Sequence, residues 1–136
     1  MNNTLLTALI GVATGAVGYW VTTFWMRPIL RYHEIRSQIL IDLVFYAQVI
    51  NADGLNDKMK ALYNDRIESN RLRSAELTAC TFELPFWYKC WLCLTGSSPE
   101  KAASNLIGFS NTTDFDSADK RIELIKRALN ITTEII

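Results

Sequence analysis

The stretch "GVATGAVGYWVTTFW", residues 11–25, carries no charge, holds three glycines and crowds four aromatic side chains into its last seven positions. It sits inside a longer run: from Leu5 to Met26 there are 22 residues without Asp, Glu, Lys, Arg or His. As a helix rising about 1.5 Å per residue, the run covers roughly 33 Å, enough for a hydrocarbon layer of about 30 Å. Lipid offers the backbone no hydrogen-bond partner, so a segment crossing it alone has to be helical. A cleaved secretory signal is a poorer match. It wants a basic leading region, a shorter apolar core and a small-residue cleavage site, whereas no Lys or Arg precedes this run and Tyr19–Met26 ends in bulky rings. A buried core helix is also a poor match, because a domain this small has little volume in which to hide a helix apolar on every side.

The rest of the chain has a different chemistry. All 28 charged side chains lie in residues 27–136, and the 14 basic and 14 acidic groups cancel. A neutral balance gives no reason to expect a nucleic-acid partner. With 136 residues there is room for one domain. The expected organisation is a transmembrane helix over residues 1–27 and a cytoplasmic helical domain over 28–136.

Tyr19, Trp20, Phe24 and Trp25 suit a membrane interface, where a ring is partly desolvated and its polar edge meets headgroups. Arg27, Arg31 and Arg36 follow directly, against only the α-amino group on the other side. The positive-inside bias then places the amino terminus outside and the carboxyl-terminal domain in the cytoplasm, as in a single-pass inner-membrane protein. Tyr19, Trp20, Trp25, Arg27 and Arg31 are the expected interface residues.

The small residues Thr4, Ala8, Gly11, Gly15, Gly18 and Thr22 recur at spacings of four, three, four, three and four. That spacing keeps them on one stripe of a helix and includes a G-x-x-x-G pair, the pattern that lets two membrane helices approach closely. Self-association through this stripe is expected; packing against a different membrane protein is the competing use.

Beyond the apolar run the pattern is helical throughout. "PILRYHEIRSQILIDLVFYAQVINADG" opens with Pro28, tolerated in a first turn, and is expected to stop at Asp53–Gly54, with Ile35, Ile39, Leu43, Tyr46 and Ile50 on one face. If Pro28 kinks rather than breaks the chain, this helix continues the first one as a stalk. The next helix shows a weaker stripe of Met59, Leu62, Tyr63, Ile67, Leu72, Ala75 and Ala79. "FWYKCWLCLTG" reads as a short, very apolar turn or helix closed by Gly96. Ser98 and Pro99 announce another helix, with Glu100 in its first turn. A last helix follows "NTTDFDS" with Ala118, Ile122, Ile125 and Leu129 on one face. The fold class expected is all-α: one N-terminal transmembrane helix, then a small bundle of four or five helices.

Chemistry-bearing residues are sparse. Cys90 and Cys93 form a C-x-x-C, with Cys80 ten residues earlier and His33 upstream; the four supply, in principle, a tetrahedral zinc site. Their neighbours Trp87, Tyr88, Trp91, Leu92 and Leu94 favour buried thiols instead, and a thioredoxin-like context is missing. No metal and no cofactor is expected: there is no Gly-rich phosphate loop, H-E-x-x-H or Walker pattern. Glu34, Asp42, Glu68 and Glu76 read as solvated charge, and Arg66, Arg71 and Arg73 as an exposed helix face or a basic patch. Phe86, Trp87, Lys89 and Trp91 have two readings, core packing or a second contact with the inner leaflet.

"LVFYAQVINADG" (43–54) and "NLIGFSNTT" (105–113) resemble segments of small bacterial single-span membrane proteins of uncharacterised function. In that family an apolar amino-terminal helix precedes an F-Y-A-N-like stretch, and a later L-I-G-x-S-N follows a turn. Here Gln48 stands where the family pattern has Asn, and "FELPFWYKCWLCLTG" has no counterpart. The resemblance implies a bacterial inner-membrane protein with a helical domain; it brings no activity and no catalytic residues.

The function expected is that of a membrane-anchored helical interaction or scaffold protein, not an enzyme. Its partners would be the bilayer, a second copy of itself and a further protein that the sequence does not identify. Two alternatives use the same residues: a membrane-perturbing effector or pore-forming subunit, and a zinc or thiol protein built on the cysteines.

Overall fold

A computed structural model describes residues 2–50, 54 and 56–131. Among the described residues there is no strand. The helices are α1 (Asn2–Val21), a π turn (Thr22–Met26), α2 (Arg27–Phe45), α3 (Asp57–Glu83), α4 (Phe86–Leu94), α5 (Pro99–Ser110) and α6 (Phe115–Ala128). α1, the π turn and α2 join without a break, so the first of the five continuous helices among the described residues runs from Asn2 to Phe45.

Pro28 therefore does not end the helix. A proline inside a helix has no N–H to give, and its ring crowds the carbonyl one turn earlier. The wide turn immediately before it relieves that crowding, with the Arg27 N–H reaching back five residues to the Thr22 carbonyl. The expected boundary between residues 27 and 28 is thus not a break in the helix.

α2 stops at Phe45, short of the expected end at Asp53–Gly54. The chain turns there, with the Val49 N–H donating to the Tyr46 carbonyl, and both Val49 and Ile50 point into the core. Successive residues of a helix face directions about 100° apart, so a continued helix would bury one of them less well. Asp53 lies outside the described residues.

The core collects Tyr32, Ile35, Ile39 and Leu43 from α2, Leu77 and Cys80 from α3, and Tyr88 and Leu92 from α4. α5 adds Ala102, Ala103, Leu106 and Phe109, while α6 adds Ala118, Ile125 and Ala128, with Leu129 just past its end. The faces expected for α2 and α6 are the buried ones, with Ile122 partly buried at the edge. α3 packs on α2 and α5, and α5 on α6. The last pair comes so close that the Arg121 guanidinium lies across Gly108.

α3 departs from its expected apolar stripe in its second half. Its buried side is Arg66, Asn70, Ser74, Leu77 and Cys80; Leu72, Ala75 and Ala79 face outward, and Met59, Leu62, Tyr63 and Ile67 are only half-buried. The inner polar side chains of Asn70 and Ser74 are each covered with a hydrogen-bond acceptor in reach. Ser74 Oγ donates to the Ala103 carbonyl at 2.8 Å, and Asn70 Nδ2 to the Arg66 carbonyl at 2.8 Å.

Local signals set the helix ends. Asn56 caps α3 by accepting from the Met59 N–H, and Asp114 caps α6 by accepting from the Ser117 N–H. Ser98 precedes Pro99 at the start of α5, but its side chain makes no capping bond. Gly96, at φ +76°, closes α4 as expected, the Ser97 N–H reaching back to the Leu92 carbonyl at 2.9 Å.

Candidate functional site

α1 is long and apolar enough to cross a membrane, and none of its apolar window is buried by the rest of the chain. Thr7 and Thr14 of α1, and Thr22 at the start of the π turn, each donate their hydroxyl to the carbonyl four residues earlier at 2.8 Å. The stripe Thr4, Ala8, Gly11, Gly15, Gly18 and Thr22 is fully on the outside. A β-carbon built at Gly11, Gly15 or Gly18 would meet nothing within 4 Å. Nothing inside this chain requires a glycine at those positions.

The stripe keeps its direction beyond the apolar run. From Thr22, steps of about one turn reach Met26 and Leu30, two turns more reach Ser37, and Ile41 and Val44 follow. All of these are exposed. Leu30, Ser37 and Ile41 each lie two residues, about half a turn, from the buried Tyr32, Ile35, Ile39 or Leu43, so this face looks away from the helical domain. Leu40, Ile41, Val44 and Phe45 form a shallow apolar surface at its far end.

The aromatic residues form a connected set. Trp20 touches Phe24 and Trp25, with ring centres 5.5 and 5.9 Å apart, and Trp25 meets Trp87 of α4 edge-on at 6.2 Å. Tyr19 is exposed, as is Arg27. Arg31 pairs with Glu83 at the end of α3, 3.3 Å away in the open. The segment around α4 divides between the two readings its sequence allows. Tyr88 and Leu92 belong to the core, whereas Phe86, Trp87 and Trp91 are exposed. The Lys89 amine donates to the Phe82 carbonyl at 3.4 Å, closing the end of α3.

The expectation of three buried thiols holds for Cys80 alone. Its Sγ points at the Pro28 carbonyl, 3.7 Å away, and burial pushes the thiol up from its ordinary value. Cys90 and Cys93 are exposed, because the inward positions of α4 are taken by Tyr88 and Leu92. His33 is engaged by its Nε2 with the Tyr88 hydroxyl at 2.9 Å. No group of three or more His, Cys, Asp or Glu that would hold a metal occurs among the described residues.

The three arginines do not form a patch. Arg66 is fully buried, Arg71 is exposed and donates to Asn111 Oδ1, and Arg73 bridges Asp42 at 3.0 Å and Glu76 at 2.8 Å. Asp42, which also accepts from Ser69 Oγ at 2.6 Å, therefore ties α2 to α3 instead of being solvated charge. Arg66 Nη2 donates to the Thr112 carbonyl at 3.1 Å and to the Ile50 carbonyl at 3.4 Å, and the guanidinium lies over the Tyr63 and Phe109 rings. The stretches 43–54 and 105–113, remote in sequence, are thus joined through one cation. Burial lowers its pKa from the usual arginine value. Sequence spacing gave no signal for this: a charged residue in a helix reads as surface unless its cover is known.

No family model, no curated protein and no solved structure matches the chain significantly.

Proposed function

We propose that the protein is a single-pass inner-membrane protein. In this reading α1 spans the bilayer, the amino terminus lies outside, and residues 28–136 form a cytoplasmic interaction or scaffold domain without catalytic chemistry. Two copies associate in parallel through Thr4, Ala8, Gly11, Gly15, Gly18 and Thr22. The observation that carries the reading is the position of that stripe: it is open, free of internal demand for glycine, and directed away from the domain. In lipid, helix pairing has no hydrophobic drive, and close backbone approach supplies contact instead. The outward residues Leu30, Ile41 and Val44 extend the same seam past the bilayer, where apolar burial does contribute.

Gly15→Ile should lower the dimer fraction of the full-length protein in detergent and in membranes, read by crosslinking, while leaving insertion and the melting of the domain unchanged. An unaltered dimer fraction would discard the stripe. The alternative of a membrane-perturbing effector draws on the exposed aromatics of α4. It requires that vesicles carrying the protein leak a trapped dye and that Gly15→Ile abolish the leak.

A further inference from the structure

We infer that the corner between α3 and α4 is a second membrane contact, a surface that lies on the lipid headgroups and upper acyl chains of the bilayer that α1 crosses. The inference rests on the membrane-spanning reading of α1. The corner is the end of the domain nearest the apolar run. Trp87 touches Trp25, the last ring of the aromatic set, and Arg31, just beyond it, pairs with Glu83. Cys80, one turn before Glu83, abuts the Pro28 carbonyl.

The side chains at this corner are among the most exposed large apolar groups outside α1. Phe82 is 81% and Phe86 82% exposed, and Trp87 is half exposed beside them. Trp87 is thus exposed even though it already touches Trp25. Neighbouring apolar groups of this size, open to water, cost free energy that burial against a partner recovers.

Three features choose lipid as that partner. The corner sits at the level where α1 ends in aromatic rings, the depth at which Trp and Phe settle in a bilayer. Lys89 at the corner and Arg27 at the end of the apolar run suit phosphate headgroups, and Glu83, which ends α3, is paired with Arg31. The corner also lies on the domain side of the first helix, so lipid contact and pairing through the opposite face do not compete. With both contacts made, the domain is held against the surface at a fixed tilt and does not swing on a stalk.

The experiment uses the full-length chain with all four tryptophans changed to Phe and a single reporter restored. Phe86→Trp reports the corner, and native Trp25 in the same background reports the anchor. Both variants are reconstituted in phosphatidylcholine–phosphatidylglycerol vesicles containing lipids brominated high on the acyl chain. The expected result is a blue-shifted emission at position 86, quenched by the brominated lipid about as strongly as that of Trp25 and little affected by acrylamide. Quenching of the position-86 reporter by acrylamide alone, with Trp25 quenched by lipid, overturns the corner contact and leaves the anchor standing. A position-86 reporter shielded from both quenchers also overturns it, since protein then covers the corner. If neither reporter senses the brominated lipid, the spanning reading fails as well. A helical circular dichroism spectrum matching that of the unaltered protein shows that the reporters sit in the native fold.

Discussion

α1 and α3 are both long helices, and they handle polarity in opposite ways. α1 is apolar on every side and buries none of that surface within the chain. α3 is polar and charged along most of its length, yet the side it buries carries Arg66, Asn70 and Ser74, with its apolar Leu72, Ala75 and Ala79 left outside. Nothing among the described residues covers α1. What α3 meets is supplied by the carbonyls of Ile50, Thr112 and Ala103. Polarity alone therefore does not decide burial; the groups on the covering element do.

The largest expected effect lies on the α3 side of the comparison. Arg66→Ala removes two hydrogen bonds, leaves the Ile50 and Thr112 carbonyls without that donor and opens a cavity between Tyr63 and Phe109. It should cost about 3 kcal/mol or more. Thermal unfolding of the full-length protein in detergent, followed by circular dichroism, measures this; a variant that melts like the parent would make the polar side of α3 incidental.

On the α1 side, Val12→Arg places a charge mid-helix at a position 73% exposed. It should penalise insertion by roughly 2.5–3.5 kcal/mol and leave the melting of the domain unchanged. The share of protein that survives a carbonate wash reports the first quantity. A lowered melting point with full membrane retention would mean that α1 packs on the domain after all.

A smaller effect is expected where the two regions are tied. The side chains of Arg73 and Asp42 are 21% and 17% exposed, so the pair is screened less than one on the surface. A cycle of Asp42→Ala, Arg73→Ala and the double variant should give a coupling of about 1 kcal/mol. Zero coupling would reduce the α2–α3 attachment to apolar contact alone.

The smallest effect is a pH dependence. Burial raises the phenol pKa of both Tyr32 and Tyr88 above the ordinary 10.0. The folded protein then holds each proton more tightly than the unfolded chain. Stability from these groups is complete below the unfolded value and declines as pH rises through the folded one. Melting temperatures taken between about pH 9 and 11 should fall, and Tyr32→Phe or Tyr88→Phe should flatten the decline. An unchanged slope in both variants would place the titrating group elsewhere.

Much of the architecture is legible residue by residue. The uncharged run, the stop at Gly96, and the faces of α2 and α6 follow from composition and spacing, whereas the Asp114 cap has no separate reading there and Ser98, read as a cap, makes no capping bond. The inner face of α3 is not legible, since Arg66 and Ser74 look like solvent residues until the carbonyls of Ile50, Thr112 and Ala103 are in place. The end of α2 is hidden for a related reason: Val49 and Ile50 continue an apolar pattern, and only the core behind them makes a turn the better way to bury both.

For the surfaces that carry the proposed function the division is similar. Composition alone shows that residues 5–26 form an apolar segment bordered by rings and arginines, since hydration of charge and its absence act locally on each side chain. The spacing of the glycines is equally visible along the chain. That their stripe turns away from the domain, and that Trp87 comes to rest against Trp25, depends on how the π turn and the α3–α4 corner orient separated segments. Such relations arise from packing between elements far apart in sequence, and no local propensity encodes them.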